Sequence, residues 1–98
     1  MIAMYILRCA DDSYYVGSTK NLDSRMEQHS AGLGSSYTSS RMPVELVFFQ
    51  EFGRIDDAYF MEKRVQGWSR AKREALIEGR YEDLKGLSKK RLPRPPAG

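Results

Sequence analysis

Cysteine is nearly absent from this 98-residue chain, with Cys9 standing alone. A lone thiol closes no internal disulfide, which fits a reducing compartment. Histidine is equally scarce: His29 has no second His or Cys at zinc-ligand spacing. No apolar run approaches the roughly 18 residues that a membrane helix needs. There is no Gly-rich phosphate loop, no defensible Ser-His-Asp order and no internal repeat. No basic lead-in or cleavage site precedes the strand-like run at residues 2–7, so the expectation is a cytoplasmic protein without a membrane partner. The length suits one domain.

What is present is charge, unevenly spread. The net charge is +3, yet the five basic residues Lys85, Lys89, Lys90, Arg91 and Arg94 all follow Leu84, with no acid among them. Residues 1–84 then carry eleven basic groups (16 less 5) against thirteen acidic ones, a balance of −2. The body is no basic block, so attraction to nucleic acid has to come from local patches and the tail. The expected division is a domain over residues 1–84 and a basic, Pro-containing, disordered tail over 85–98.

Residues 2–9 alternate as a strand with apolar side chains on both faces, so it should be covered on both sides. Asp11-Asp12-Ser13 is turn chemistry, and residues 14–17 make a second strand ending at Gly17, where a missing side chain permits close approach. Tyr5 and Tyr15 share a face of this hairpin only if the connection has an odd number of residues, roughly three or five. Asn21 or Thr19 should cap a helix over residues 22–31 that places Arg25 and His29 one turn apart, beside Leu22 and Met26. Residues 32–43 read as a long Gly/Ser-rich loop carrying Tyr37 and Arg41. The apolar run in residues 44–52 predicts a third strand, central or covered on both faces. Asp56 and Asp57 open a second helix with Ala58, Met61, Val65 and Trp68 at core spacing and Glu62 beside that stripe. Ser69 caps a third, with Ala71, Ala75 and Leu76 as its inner residues.

Singly, each polar candidate has a plainer reading: core tyrosines, a solvated Arg/His face, a surface glutamate. Together they match one chemistry. Phosphodiester hydrolysis needs an activated water, charge neutralisation at the phosphate and help for the leaving oxygen. A carboxylate suits a hard cation such as Mg²⁺, and a guanidinium fork suits a phosphate oxygen. A phenol, which ordinarily titrates near about pH 10, acts as a base only if positive charge lowers that value; Arg25, His29 and the metal are the expected source. With Glu62 the one carboxylate in position, a single ion is expected, Mg²⁺ or Mn²⁺.

In this order the residues resemble the GIY-YIG nuclease superfamily, in its short single-domain bacterial branch. Its first motif appears as Ala3-Met4-Tyr5 and its second as Tyr15-Val16-Gly17. Its helix arginine and histidine match Arg25 and His29, and its metal-binding glutamate matches Glu62. The resemblance implies an α+β fold, a small three-stranded, mainly antiparallel mixed sheet flanked by three helices. It also implies one-metal cleavage of DNA, structure-selective in repair or recombination, with Tyr15 activating water, Tyr5 and His29 tuning it, and Arg25 holding the phosphate. Gly17 is the structural residue at the site. Lys20, Arg25, Tyr37, Arg41, Lys89, Lys90 and Arg91 are the expected contacts to duplex, branched or single-stranded DNA. Ser18 stands where some members have lysine, and no late asparagine is present. No stretch of this sequence reads as one of the targeting domains of larger relatives, so the expectation is a slow site or one that depends on a protein partner for substrate choice. The competing expectation is a catalytically weak or inactive nucleic-acid-binding module.

Overall fold

The alternation at the start of the chain produces the expected hairpin. In the computed structural model, which describes residues 1–84, β1 (Ala3–Arg8) pairs antiparallel with β2 (Tyr14–Thr19), Tyr5 opposite Gly17 and Leu7 opposite Tyr15. The connection is residues 9–13, five in number, so Tyr5 and Tyr15 do share a face. Asp12 takes a positive φ of 69° in this turn, a conformation that Asp tolerates better than most residues. Cys9 is buried at the strand end, and burial pushes its thiol up, away from a reactive thiolate.

The third strand, β3 (Glu45–Glu51), pairs antiparallel with the other side of β1, giving the order β2-β1-β3. The fold is α+β as expected, but both pairings are antiparallel, so the mixed component is absent among the described residues. The placement of β3 also differs from expectation. It is an edge strand, and Phe49 and Leu46 are exposed. The register shifts between Ile6 and Leu7: Ile6 faces Phe48 while Leu7 faces Leu46, leaving Val47 as an extra residue. A bulge therefore lengthens the apolar run that reads as a doubly covered strand. The doubly covered strand is β1, whose residues from Ala3 to Leu7 are at most 1% exposed.

Helix α1 (Leu22–Ser30) starts at Asn21, whose side chain accepts the Ser24 N–H, and ends before Gly32 at φ 79°. Leu22 and Met26 pack with Ala3, Tyr5 and Tyr15, so α1 covers that face of the sheet. The expected loop at residues 32–43 contains a short helix, α2 (Ser36–Ser39), capped by Ser35 through the Thr38 N–H. Helix α3 (Ile55–Gln66) has Asp56 and Asp57 in its first turn and packs on β2 and β1. Its buried residues are Ala58 and Val65; Met61 is half-buried.

The chain divides into two compact units, Met1–Gly67 and the segment from Trp68 onward. In the second, α4 (Arg70–Ile77) is capped by Ser69, Ala75 and Leu76 are buried, and Lys72 lies over the Trp68 ring. Ala71, expected on the inner side, is exposed. Residues 81–84 form a last helical turn. The basic tail with Lys89, Lys90 and Arg91 lies outside the described residues. No helix among the described residues is long and apolar enough to cross a membrane.

Candidate active site

Tyr5 sits at the centre of the first unit, entirely buried, and its hydroxyl is the node of a polar cluster. The Arg25 Nε–H donates to it at 3.2 Å, and His29 Nε2 lies 2.9 Å away. Across the hairpin, Gly17 explains how the phenol reaches this point. A Cβ there would stand 2.6 Å from the Tyr5 oxygen, so the ring lies over the glycine backbone. Tyr15 joins from the same face: its ring is 6.3 Å from Tyr5 and 5.5 Å from His29, centroid to centroid. Tyr15 is half-buried, the more open of the two phenols.

Arg25 also donates from Nη1 to Gln28 at 2.9 Å and interacts with Tyr15. The hydrogen bond to Tyr5 first, then the interactions with Tyr5 and Tyr15, hold the guanidinium pKa above its ordinary value against the opposing pull of burial. His29 is 1% exposed, and burial with the nearby Arg25 charge lowers its pKa to about 4. It is neutral at pH 7. The expectation that His29 adds positive charge is therefore corrected: its surroundings are too dry, and already cationic. Likewise the Tyr5 hydroxyl is not lowered. Burial raises it, the Arg25 hydrogen bond and charge pull the other way, and the charges of Tyr15 and Glu62 add to the rise.

Glu62 approaches from α3, on the other face of the sheet. By the alternation of β2, Ser18 points away from Tyr15 and Gly17, and its hydroxyl donates to Glu62 Oε1 at 2.5 Å. Gln66 Nε2 donates to Oε2 at 2.8 Å and to the Val16 carbonyl at 3.2 Å, and Lys63 Nζ is 3.6 Å from Oε2. The carboxylate side chain is only 12% exposed. Four of the five candidates thus touch one another, while Glu62 stands across the edge strand β2 from them. Two features link the halves: the Tyr5 oxygen lies over Gly17, next to the Glu62 anchor Ser18, and the Glu62 charge is felt at Tyr5.

Among the described residues no group of three His, Cys, Asp or Glu could hold a metal ion. The donor set is one carboxylate with a hydroxyl beside it, all hard oxygen. An all-oxygen pair of this kind suits a hard divalent cation better than zinc.

Several contributors lie outside the set expected from the sequence. Thr38 Oγ1 is 3.1 Å from His29 Nδ1, and Gly34 passes so close that a Cβ would stand 2.1 Å from that nitrogen. Ser18 stands out in the sequence only as a departure from the lysine of other members, and it anchors Glu62. Gln66, four residues past Glu62 on the same helix face, is findable from spacing alone. Of the expected nucleic-acid contacts, Tyr37 stacks on Tyr15 at 6.0 Å, and Arg41 lies 3.7 Å over Tyr37 while pairing with Asp11. Lys20 is exposed just beyond β2.

A cluster of phenols, a guanidinium and an imidazole on a three-stranded sheet, with one glutamate on the flanking helix, defines a nuclease-like class of site. Residues 1–75 match the family described as the GIY-YIG catalytic domain, and the chain belongs to that family. Members are generally divalent-metal dependent and act on nucleic acid. Within it, the chain is similar to UPF0213 proteins. It is 42% identical to one from Natronomonas pharaonis over 76% of this chain and 87% of that one. It is 40% identical to one from Bacillus pumilus over 76% of each. The solution NMR structure of a UPF0213 protein from Bacillus halodurans superposes with a TM-score of 0.53 at 38% identity, covering 79% of this chain and 82% of that one.

Proposed function

We propose that the protein is a divalent-metal-dependent endonuclease that hydrolyses DNA phosphodiester bonds with a single ion, Mg²⁺ or Mn²⁺, held at Glu62. The observation that carries this reading is the Arg25–Tyr5–His29 cluster lying over Gly17, one residue from the Ser18 that fixes Glu62. The ion, when bound, supplies charge to the phosphate and the leaving oxygen.

The protein's own groups do the rest. Tyr15, in its phenolate form, takes the proton of the attacking water and becomes the neutral phenol, because it is the phenol with access to solvent. Tyr5 is sealed and tied on both sides, so it orients Arg25 rather than exchanging protons. Arg25 keeps N–H groups beyond those on Tyr5 and Gln28, and these grip a non-bridging phosphate oxygen. His29, neutral, is a fixed hydrogen-bond partner and not a cation. Residues 1–84 form the nuclease-like domain in this reading, and the basic residues of 85–98 grip phosphate backbone. The biological setting that follows is repair or recombination, with structure-selective cleavage in the cytoplasm and a protein partner steering substrate choice.

The decisive experiment sets flap, junction, nicked, single-stranded and RNA substrates side by side with Mg²⁺, Mn²⁺ or EDTA. Cleavage by the wild type should need the ion, and Glu62→Ala should lose at least about 100-fold in rate. Its circular dichroism should stay unchanged. Full activity in Glu62→Ala would move the metal elsewhere. Salt-dependent binding with no cutting of any substrate would favour the inactive binding module.

A further inference from the structure

We propose that Thr38 is a positioning residue: its Oγ1 accepts the Nδ1–H of His29 and so leaves Nε2 to accept the proton of the Tyr5 hydroxyl. The inference follows from counting protons in a dry cluster. Arg25 Nε–H can only donate, so at that contact the Tyr5 oxygen is the acceptor. Tyr5 is fully buried, and its own proton needs an acceptor. His29 Nε2, 2.9 Å away, fills that role. In a neutral imidazole the proton then sits on Nδ1, which faces Thr38 Oγ1 at 3.1 Å. Thr38 is itself fully buried, and its proton has two acceptors, Ser35 Oγ at 2.9 Å and the Ser35 carbonyl at 3.3 Å; Ser35 Oγ also takes the Thr38 N–H at 3.1 Å. Every member has a partner, and no buried side-chain N or O among the described residues lacks one.

The opposite tautomer would aim two donors, Arg25 Nε–H and His29 Nε2–H, at one phenol oxygen and strand the phenol proton. An unmade bond of that kind in a buried place costs roughly 10- to 100-fold in population. Gly34 closes the remaining side of the ring, since its backbone leaves no room even for a methyl group beside Nδ1. The groups facing the imidazole are Arg25, Tyr5, Tyr15 and Thr38. Burial and the Arg25 charge keep it neutral, so the tautomer persists across the neutral range. Thr38 thereby acts at a distance: through His29 it sets the Tyr5 hydroxyl, and through Tyr5 it sets the guanidinium that faces the phosphate. The kinetic part of this inference rests on the nuclease reading; the proton's position does not.

His29 is the only histidine in the chain, so its ring ¹⁵N signals are assigned without ambiguity. In the wild type these should report the Nδ1–H tautomer. Thr38→Val keeps the shape and removes the acceptor; it should raise the Nε2–H population. It should also lower kcat for DNA cleavage roughly 10- to 100-fold, with KM within about twofold. Thr38→Ser should restore both. An Nε2–H wild type overturns the proposal even if Thr38→Val does not fold. So does an unchanged tautomer in Thr38→Val, or a Thr38→Ser variant as impaired as Thr38→Val, which would reduce Thr38 to packing. If the wild type cuts nothing, the nuclease reading fails while the spectra still decide the tautomer.

Discussion

His29 shows how burial chooses a role for a residue that composition leaves open. Next to Arg25 and cut off from water, the imidazole has a pKa near 4 instead of 6.5, and this depression is also a statement about stability. Between these values the unfolded chain binds a proton that the folded chain refuses. The contribution of His29 is therefore complete above about pH 6.5 and is lost as the pH falls toward about 4, with a size of order 3 kcal/mol. Urea unfolding of the wild type should show this decline, and His29→Gln should lack that part of it. A wild-type stability that is flat from pH 6.5 to 4 would mean that the ring is hydrated. Gly17 and Gly34 make the same point from the other direction. Each is needed because a ring of the site occupies the space where its Cβ would be.

At the scale of elements, the hairpin and the two longer helices of the first unit are legible in the sequence because their signals are local. The parity of the turn puts Tyr5 and Tyr15 on one face, and Asn21 and the paired aspartates mark helix starts. Helix α2 is not legible. Four residues are too short for a hydrophobic period, and its Ser-rich composition reads as loop. Yet α2 brings Thr38 to His29 and Tyr37 to Tyr15, so it serves both rings at once. The rank of β3 in the sheet is not legible either, because a bulge at Val47 imitates a strand buried on both sides. The five candidate residues stand out in the sequence and four of them meet in the fold, but their electrostatics are not legible there, because burial of Tyr5 and His29 depends on contacts far apart in the chain.

At the scale of the whole molecule, the balance of −2 over residues 1–84 means that, in the proposed nuclease, the work of attracting DNA falls to particular groups, with Arg25, Lys20 and the tail as the proposed ones. The tail beyond Leu87 holds four cations: Lys89, Lys90, Arg91 and Arg94. If they contact phosphates, deleting residues 88–98 should weaken DNA binding. It should also make the plot of log affinity against log salt shallower, by up to about 0.7 per lost contact on single strands and about 0.9 on duplex. Unchanged affinity and slope would assign the tail no part in binding. The proposed catalytic centre is organised around the open edge of β2, with the phenol cluster on one face of the strand and the carboxylate on the other. That division makes the position of the ion the most direct test of the account. In an NMR titration with Mn²⁺, paramagnetic broadening should centre on Ser18, Glu62 and Gln66 and extend to the rings of Tyr5, Tyr15 and His29. Broadening centred on Asp56 and Asp57, or on Asp11 and Asp12, with Ser18 and the rings untouched, would contradict it.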